Sequence, residues 1–238
     1  MKNSKFTIIS ILIIVSGFIF SSASGQNIAS IKTADEFWRL QTNGERMSKI
    51  ILSDEDIEGS PYLNDNFITG NVITKKGVKY MGIPLRYNIY SQNFEFKTPK
   101  QILEFRDPAS IREVEIKNEK FIFVPFKKKN KKLDWGFFQK INKSGPAQLL
   151  IRYRVTFSNA TKPGAYSDAK PASFSDKEKL FFVKFGTHPA VRIFRSSDFI
   201  DNAPKHKTEI KKFIKSNKIK VRRQKDLLKL VNYYNSLQ

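Results

Sequence analysis

Clustered cations are the side chains of this sequence best placed to do chemistry. Between positions 205 and 225, Lys205, Lys207, Lys211, Lys212, Lys215, Lys218, Lys220, Arg222, Arg223 and Lys225 stand against one carboxylate, Glu209. A surface of one sign attracts partners of the other over several ångströms. Lys211, Lys212, Lys215, Lys218, Lys220, Arg222 and Arg223 are therefore the candidate anion-binding residues, the alternative being a solvated face that keeps the chain soluble. Residues 127–132 hold five lysines around Asn130, the pattern of a solvated hairpin tip. Arg152 and Arg154 alternate with Ile151 and Tyr153, which puts both arginines on one sheet face. There they either contact an anion or form cross-strand ion pairs.

Other chemistries find less support. A glycan-acting hydrolase needs two carboxyl groups about 5–10 Å apart across a cleft. Asp65, Glu95 and Asp134 are the residues that folding would have to bring together. His188, in a Gly-Thr-His-Pro turn, and His206, between two lysines, match neither a metalloprotease spacing nor a nucleophile elbow. Asp54, Glu55, Asp56 and Glu58 lack the alternating ligands and central glycine of a calcium loop, so a solvated turn is expected. The sequence contains no cysteine, which excludes thiolate zinc sites, CxxC redox chemistry and cysteine nucleophiles. With no glycine-rich dinucleotide or phosphate-loop motif either, no cofactor, metal or catalytic residue is assigned.

The formal charge is +21 over 238 residues. Lysines outnumber arginines 32 to 11, whereas bidentate recognition of phosphates and bases favours the planar guanidinium fork. Nucleic acid is thus a disfavoured partner. Anionic envelope components, such as lipopolysaccharide phosphates or acidic glycans, fit better, because the chain opens like an exported protein. Lys2 and Lys5 precede an apolar run over residues 6–20 and a tail of small residues to Gly25, the three parts of a secretory signal peptide. That run is shorter than the roughly 20 residues that span a bilayer. Cleavage after Gly25 would leave a protein with no transmembrane segment, in the periplasm, at the outer membrane or secreted. Without disulfides it must be held by its core, and a chain of this length can bury roughly 70% of its unfolded surface.

The elements that must position these groups are mostly strands. Residues 59–90 read as a β-hairpin: Ser60-Pro61 and Asn64-Asp65-Asn66 supply turns, Lys75-Lys76-Gly77 the tip, and Ile83, Leu85, Tyr87 and Ile89 recur at every second position. Pro84, which cannot donate to a ladder, is expected on an edge or near a strand start. Short alternating or apolar runs follow at 94–96, 102–105, 111–116, 121–126, 135–141, 148–157, 180–185 and 190–194, separated by turn residues. Residues 158–176, rich in Ala, Ser, Pro and Lys, read as a long loop, a mobile segment with incidental aromatics, the alternative being that Tyr166 and Phe174 close over a ligand. Beyond position 196 the apolar period becomes helical. Ile210, Phe213 and Ile214 form one stripe, and Leu227, Leu230, Val231, Tyr234 and Leu237 another. The expected fold is mainly β, an antiparallel meander forming a curled sheet, barrel or sandwich, with a C-terminal amphipathic helix pair. The expected organisation is a signal peptide (1–25), an N-terminal lead (26–47), a β-domain (48–195) and a helical pair packed on it (196–238). Within the lead, Thr33 and Glu36 have the spacing of a capping box, so it holds either a short helix or an unstructured segment. A first strand is expected at 49–52.

GSPYLND at 59–65, a Lys-Gly turn, IPLRYNIY at 83–90 and DLLKLVNYYN at 226–235 together resemble a family of exported, β-rich proteins of Gram-negative bacteria that has no assigned activity. The resemblance implies export, a β-rich fold and a C-terminal helix; it carries no catalytic residue. Residues 158–176 and 201–206 depart from that pattern.

Overall fold

The computed structural model describes residues 30–42, 57–163 and 168–237. The signal peptide, the strand at 49–52, the carboxylates Asp54, Glu55 and Asp56, and Tyr166 lie outside the described residues.

Period-two alternation across the central hairpin becomes β3 (Ile68–Thr74) and β4 (Val78–Asn88), preceded by β1 (Ser30–Lys32) and β2 (Ile57–Glu58). Ile83, Leu85, Tyr87 and Ile89 are all buried, as their shared parity requires. The meander continues through β5 (Asn93–Lys97), β6 (Ile102–Glu104), β7 (Ile111–Ile116), β8 (Glu119–Lys127), β9 (Leu133–Lys140) and β10 (Ala147–Arg154). After β11 (Phe157–Ser158) and β12 (Ala172–Phe174) come β13 (Glu178–Phe185) and β14 (Val191–Arg192). The result is mainly β, with a large sheet of 11 strands in the order β14-β13-β10-β9-β8-β7-β3-β4-β5-β6 and β1 added in parallel on β4. All the other pairings in it are antiparallel.

The strand path is not closed into a barrel, which removes one of the three expected forms. The sheet does curl at one corner. Ala190, just before β14, bridges Phe126 near the end of β8, with Lys127 N–H donating to the Ala190 carbonyl at 2.9 Å and Ala190 N–H to the Pro125 carbonyl at 2.8 Å.

Pro84 departs from expectation: it lies within β4, paired with Thr69 of β3. Its missing donor is harmless because the other side of β4 holds β1 only at 78–80 and β5 only from Leu85. Between Tyr80 and Ile83 the register with β3 slips at a bulge, where Gly82 adopts φ 72°, a conformation that glycine tolerates. Gly70, paired with Ile83, borders this bulge, and a Cβ there would meet the Glu115 carbonyl oxygen at 2.4 Å.

Residues 158–176 are not a structureless loop. β11 and β12 pair with each other, and β12 pairs in parallel with β2, so part of the segment forms a second, three-stranded sheet. Phe174 is buried against Tyr90 and Phe157 at ring distances of 5.5 and 5.1 Å; it is a core residue rather than a flap. The described part of the N-terminal lead, residues 30–42, is also more ordered than its sequence suggests. It supplies β1 and then α1 (Ala34–Thr42), whose capping box joins Thr33 N–H to Glu36 at 2.9 Å. α1 exists chiefly to deliver Phe37, fully buried 5.2 Å from both Tyr80 and Phe96.

Three helices, not two, follow the sheet: α2 (Ser196–Asn202), α3 (Lys207–Ser216) and α4 (Gln224–Ser236). The sequence conceals α2 because seven residues are too short for a clear stripe; its anchor is Phe199, 5.2 Å from Phe185. α4 lays Leu227, Leu230, Val231 and Tyr234 on Ala147, Leu149, Val183 and Phe185 of the sheet. Among the described residues no helix is long and apolar enough to cross a membrane.

A candidate anion-binding cleft

Strands β8, β9, β10 and β13 are packed on both faces. One face carries Phe121, Phe137, Ile151 and Tyr153 into the main core. The other carries Phe126, Phe138, Leu150 and Phe182, which with Ala190 form a separate small cluster where the sheet curls. Over this second face opens a cleft of about 1600 Å³. Its floor is Phe126, Leu180 and Phe182; its rim is the β8–β9 lysine hairpin on one side and Val191, Arg192, Phe194 and α2 on the other. Tyr90 and Gln92, in the turn after β4, close the third side.

Arg152 lies at the heart of it. The alternation of β10 turns Arg152 to the same face as Leu150, so its stem is half-buried among aromatic rings. Its guanidinium carbon is 4.4 Å from the Phe126 ring centroid and 5.8 Å from that of Phe138. Its Nε donates to Gln92 Oε1 at 2.6 Å, and Gln92, held at φ 60°, is fixed in turn by donating to the Tyr153 carbonyl at 2.9 Å. Burial pushes the Arg152 guanidinium pKa down, opposed by electrostatic interaction with Tyr87 and Asp134. A guanidinium nevertheless stays protonated in proteins. Among the described residues no carboxylate forms an ion pair with it.

Its neighbours divide the alternatives that the sequence left open. Arg154 takes the cross-strand ion pair, bonded to Glu178, its register partner on β13. Lys128 pairs with Asp134 at 2.6 Å, and that hydrogen bond holds the Asp134 carboxyl below its ordinary value against the opposing effect of burial. Lys127, Lys129, Lys131 and Arg192 have no ion pair among the described residues. Asp198, the carboxylate in the lining, accepts from Phe194 N–H at 2.8 Å and Arg195 N–H at 2.7 Å, and so caps α2. The cleft is therefore cationic around an apolar floor.

Of the seven cations singled out in the C-terminal region, none lines this site, and one touches its wall from behind. Arg222 lies over Phe194, and Lys211, Lys212, Lys215, Lys218, Lys220 and Arg223 are exposed away from the cleft lining. The three carboxylates each have local partners. Glu95 is buried, paired with Arg86 at 2.6 Å and bonded by Asn88 at 2.9 Å; Asp65 accepts from Ser60; Asp134 holds Lys128. His188 contacts the Phe185 carbonyl through Nδ1 at 3.1 Å, and His206 sits at the head of α3 in a left-handed conformation. Among the described residues, no group of histidine and carboxylate side chains could hold a metal ion.

Sequence reading missed Gln92, Phe126, Arg192 and Phe194. A trace was present: Arg152 shares its parity with Leu150, and apolar residues fill both faces of 121–126, so the face bearing Arg152 was bound to be partly covered. No protein-family model matches this chain, and no curated protein or solved structure proved similar to it.

Proposed function

We propose that this is an exported, non-catalytic protein of the cell envelope that binds an anionic ligand in the cleft over β8, β9, β10 and β13. The supporting observation is Arg152, a half-buried cation with a fixed orientation and, among the described residues, no carboxylate within ion-pair distance. Desolvating a charge is costly unless an opposite charge or hydrogen bonds compensate. Gln92 occupies only the Nε side, and a bound anion would complete the arrangement. The three lysines and Arg192 at the rim add long-range attraction. Residues 1–25 favour export, where phosphorylated or acidic envelope components would be the partners.

The test compares two variants that each lose three positive charges. Retention of the protein on isolated envelope material is measured from low to high salt. Lys129, Lys131 and Arg192 are changed to Gln in one variant, and Lys211, Lys212 and Lys215 in the other. Loss of retention confined to the first variant supports the cleft. Equal loss in both would mean diffuse charge attraction, and the proposal would fail.

A further inference from the structure

We infer that the ligand is an anionic amphiphile, with an oxyanion headgroup on Arg152 and an apolar chain along Leu180, Phe182 and Phe194. This rests on the cleft being the binding site, and it chooses between a lipid-like and a sugar-like occupant.

Two observations favour the lipid. Acidic sugars are recognised by free hydrogen-bonding groups for their hydroxyls and by open aromatic faces. Here the neutral polar groups are few: Gln92 is engaged by Arg152 and two carbonyls, and Asn202 and Asn130 each spend one amide atom locally, on the Asp198 carbonyl at 2.8 Å and on Lys132 N–H at 3.2 Å. The rings are engaged in part, Tyr90 and Phe194 each staying 45% exposed. Arg152 lies against Phe126, Arg222 covers Phe194 at 3.7 Å, Tyr90 packs edge-on against Phe174, and Phe182 packs edge-on against Phe126 and Phe138. What the cleft offers instead is ring edges and aliphatic groups continuous with a buried apolar cluster, a surface suited to an acyl chain. Its volume of about 1600 Å³ exceeds the roughly 300–1,000 Å³ usual for small-ligand sites, leaving room for a chain beside the headgroup.

The headgroup chemistry follows from the orientation of Arg152. With Nε bonded to Gln92 and one face against Phe126, the terminal nitrogens offer an in-plane pair of donors, the geometry that suits a carboxylate or phosphate.

Isothermal titration of the protein with monododecyl phosphate and with laurate, both below their micelle concentrations, tests this directly. Inorganic phosphate, dodecyl maltoside and trigalacturonate serve as comparisons. One-to-one binding of an anionic lipid is expected, with inorganic phosphate and dodecyl maltoside at least about 100-fold weaker; whichever of the two lipids binds more tightly identifies the headgroup. Arg152→Gln should weaken it about tenfold or more, and Arg152→Lys, which keeps the charge without the fork, by an intermediate factor. Arg192→Gln at the rim and Leu180→Ser on the floor give the same reading should Arg152 variants fail to fold. If dodecyl maltoside binds as well as the anionic lipids, charge plays no part and the inference is overturned. Arg152-dependent binding of trigalacturonate without either lipid overturns the amphiphile but leaves the anion site standing. If no anion binds, both fall.

Discussion

Arg222 lies flat on Phe194, its guanidinium carbon 3.7 Å from the ring centroid and its Nε donating to the Phe194 carbonyl at 3.3 Å. The contact ties the connector between α3 and α4 to the chain just past β14, and so braces one wall of the cleft from behind. Phe194 is 45% exposed, and an exposed cation–aromatic pair contributes about 0.5–1 kcal/mol. Arg222→Ala should lower stability by that amount in urea melts. A loss above about 2 kcal/mol would mean that Arg222 has a buried structural role.

Leu85 is fully buried on the inner face of β4. Leu85→Ala should cost about 2–5 kcal/mol, the range for truncating a buried leucine. Denaturant melts showing less than about 0.5 kcal/mol would contradict the face assignment.

Glu115 gives a pH dependence. Burial raises its pKa, but hydrogen bonds from Lys79, Lys120 and Asn71 outweigh that and pull it from 4.5 down to about 2. Because the folded value is depressed, the stabilisation is present above the unfolded pKa and is lost as pH falls from 4.5 through 2. Urea melts of Glu115→Gln should show a deficit on the order of 2 kcal/mol at pH 7 that shrinks toward zero near pH 2. A deficit that stays constant across this window would refute the linkage.

Asn235 near the end of α4 acts as an extra strand rung, its Oδ1 accepting from Ala147 N–H at 2.8 Å and its Nδ2 donating to the Ala147 carbonyl at 3.0 Å. Asn235→Ala leaves both backbone groups without these bonds and should cost about 1–3 kcal/mol. Gly145, at φ 112°, leaves the space that Asn235 fills; a Cβ would fall 2.2 Å from its Nδ2. Gly145→Ala should therefore destabilise the protein too, and in urea melts the two substitutions combined should cost less than the sum of the singles.

Export is checked at the other end of the chain. N-terminal sequencing of protein from the envelope fraction should begin at or near Gln26; a full-length cytosolic product would remove the basis for envelope partners.

Local pattern carried most of the strand reading. Leu85 and Tyr87 could be assigned a face because parity is a property of neighbouring residues, and the turns at 75–77 and 127–132 announce themselves by composition. Pairings set by distant segments could not be read that way. Nothing in Ser30–Lys32 names its partner Val78–Tyr80, and Ala172 and Ser173 meet β2 only because the tertiary fold brings them there. The cleft was hidden for the same reason. Arg152 looked like an exposed partner of Arg154 until Phe126, Phe138 and Gln92, remote in sequence, converged on it. The density of lysines drew attention to α3, yet charge count alone does not say which cations share a concave surface.

The short outer strands bear on how the protein behaves in a crowd. A sheet of this size ends in two unpaired edges, and an edge that is long and flat invites another chain to add a strand, the first step toward fibrils. Here the terminal strands are β14, two residues long, and β6, three residues long, and the bridge from Ala190 to Phe126 bends the chain away beside β14. Among the described residues neither terminal strand by itself offers enough rungs to template a growing stack. Strong mutual repulsion between highly cationic copies adds a second barrier, so concentrated solutions should resist amyloid-type assembly without any covalent cross-link.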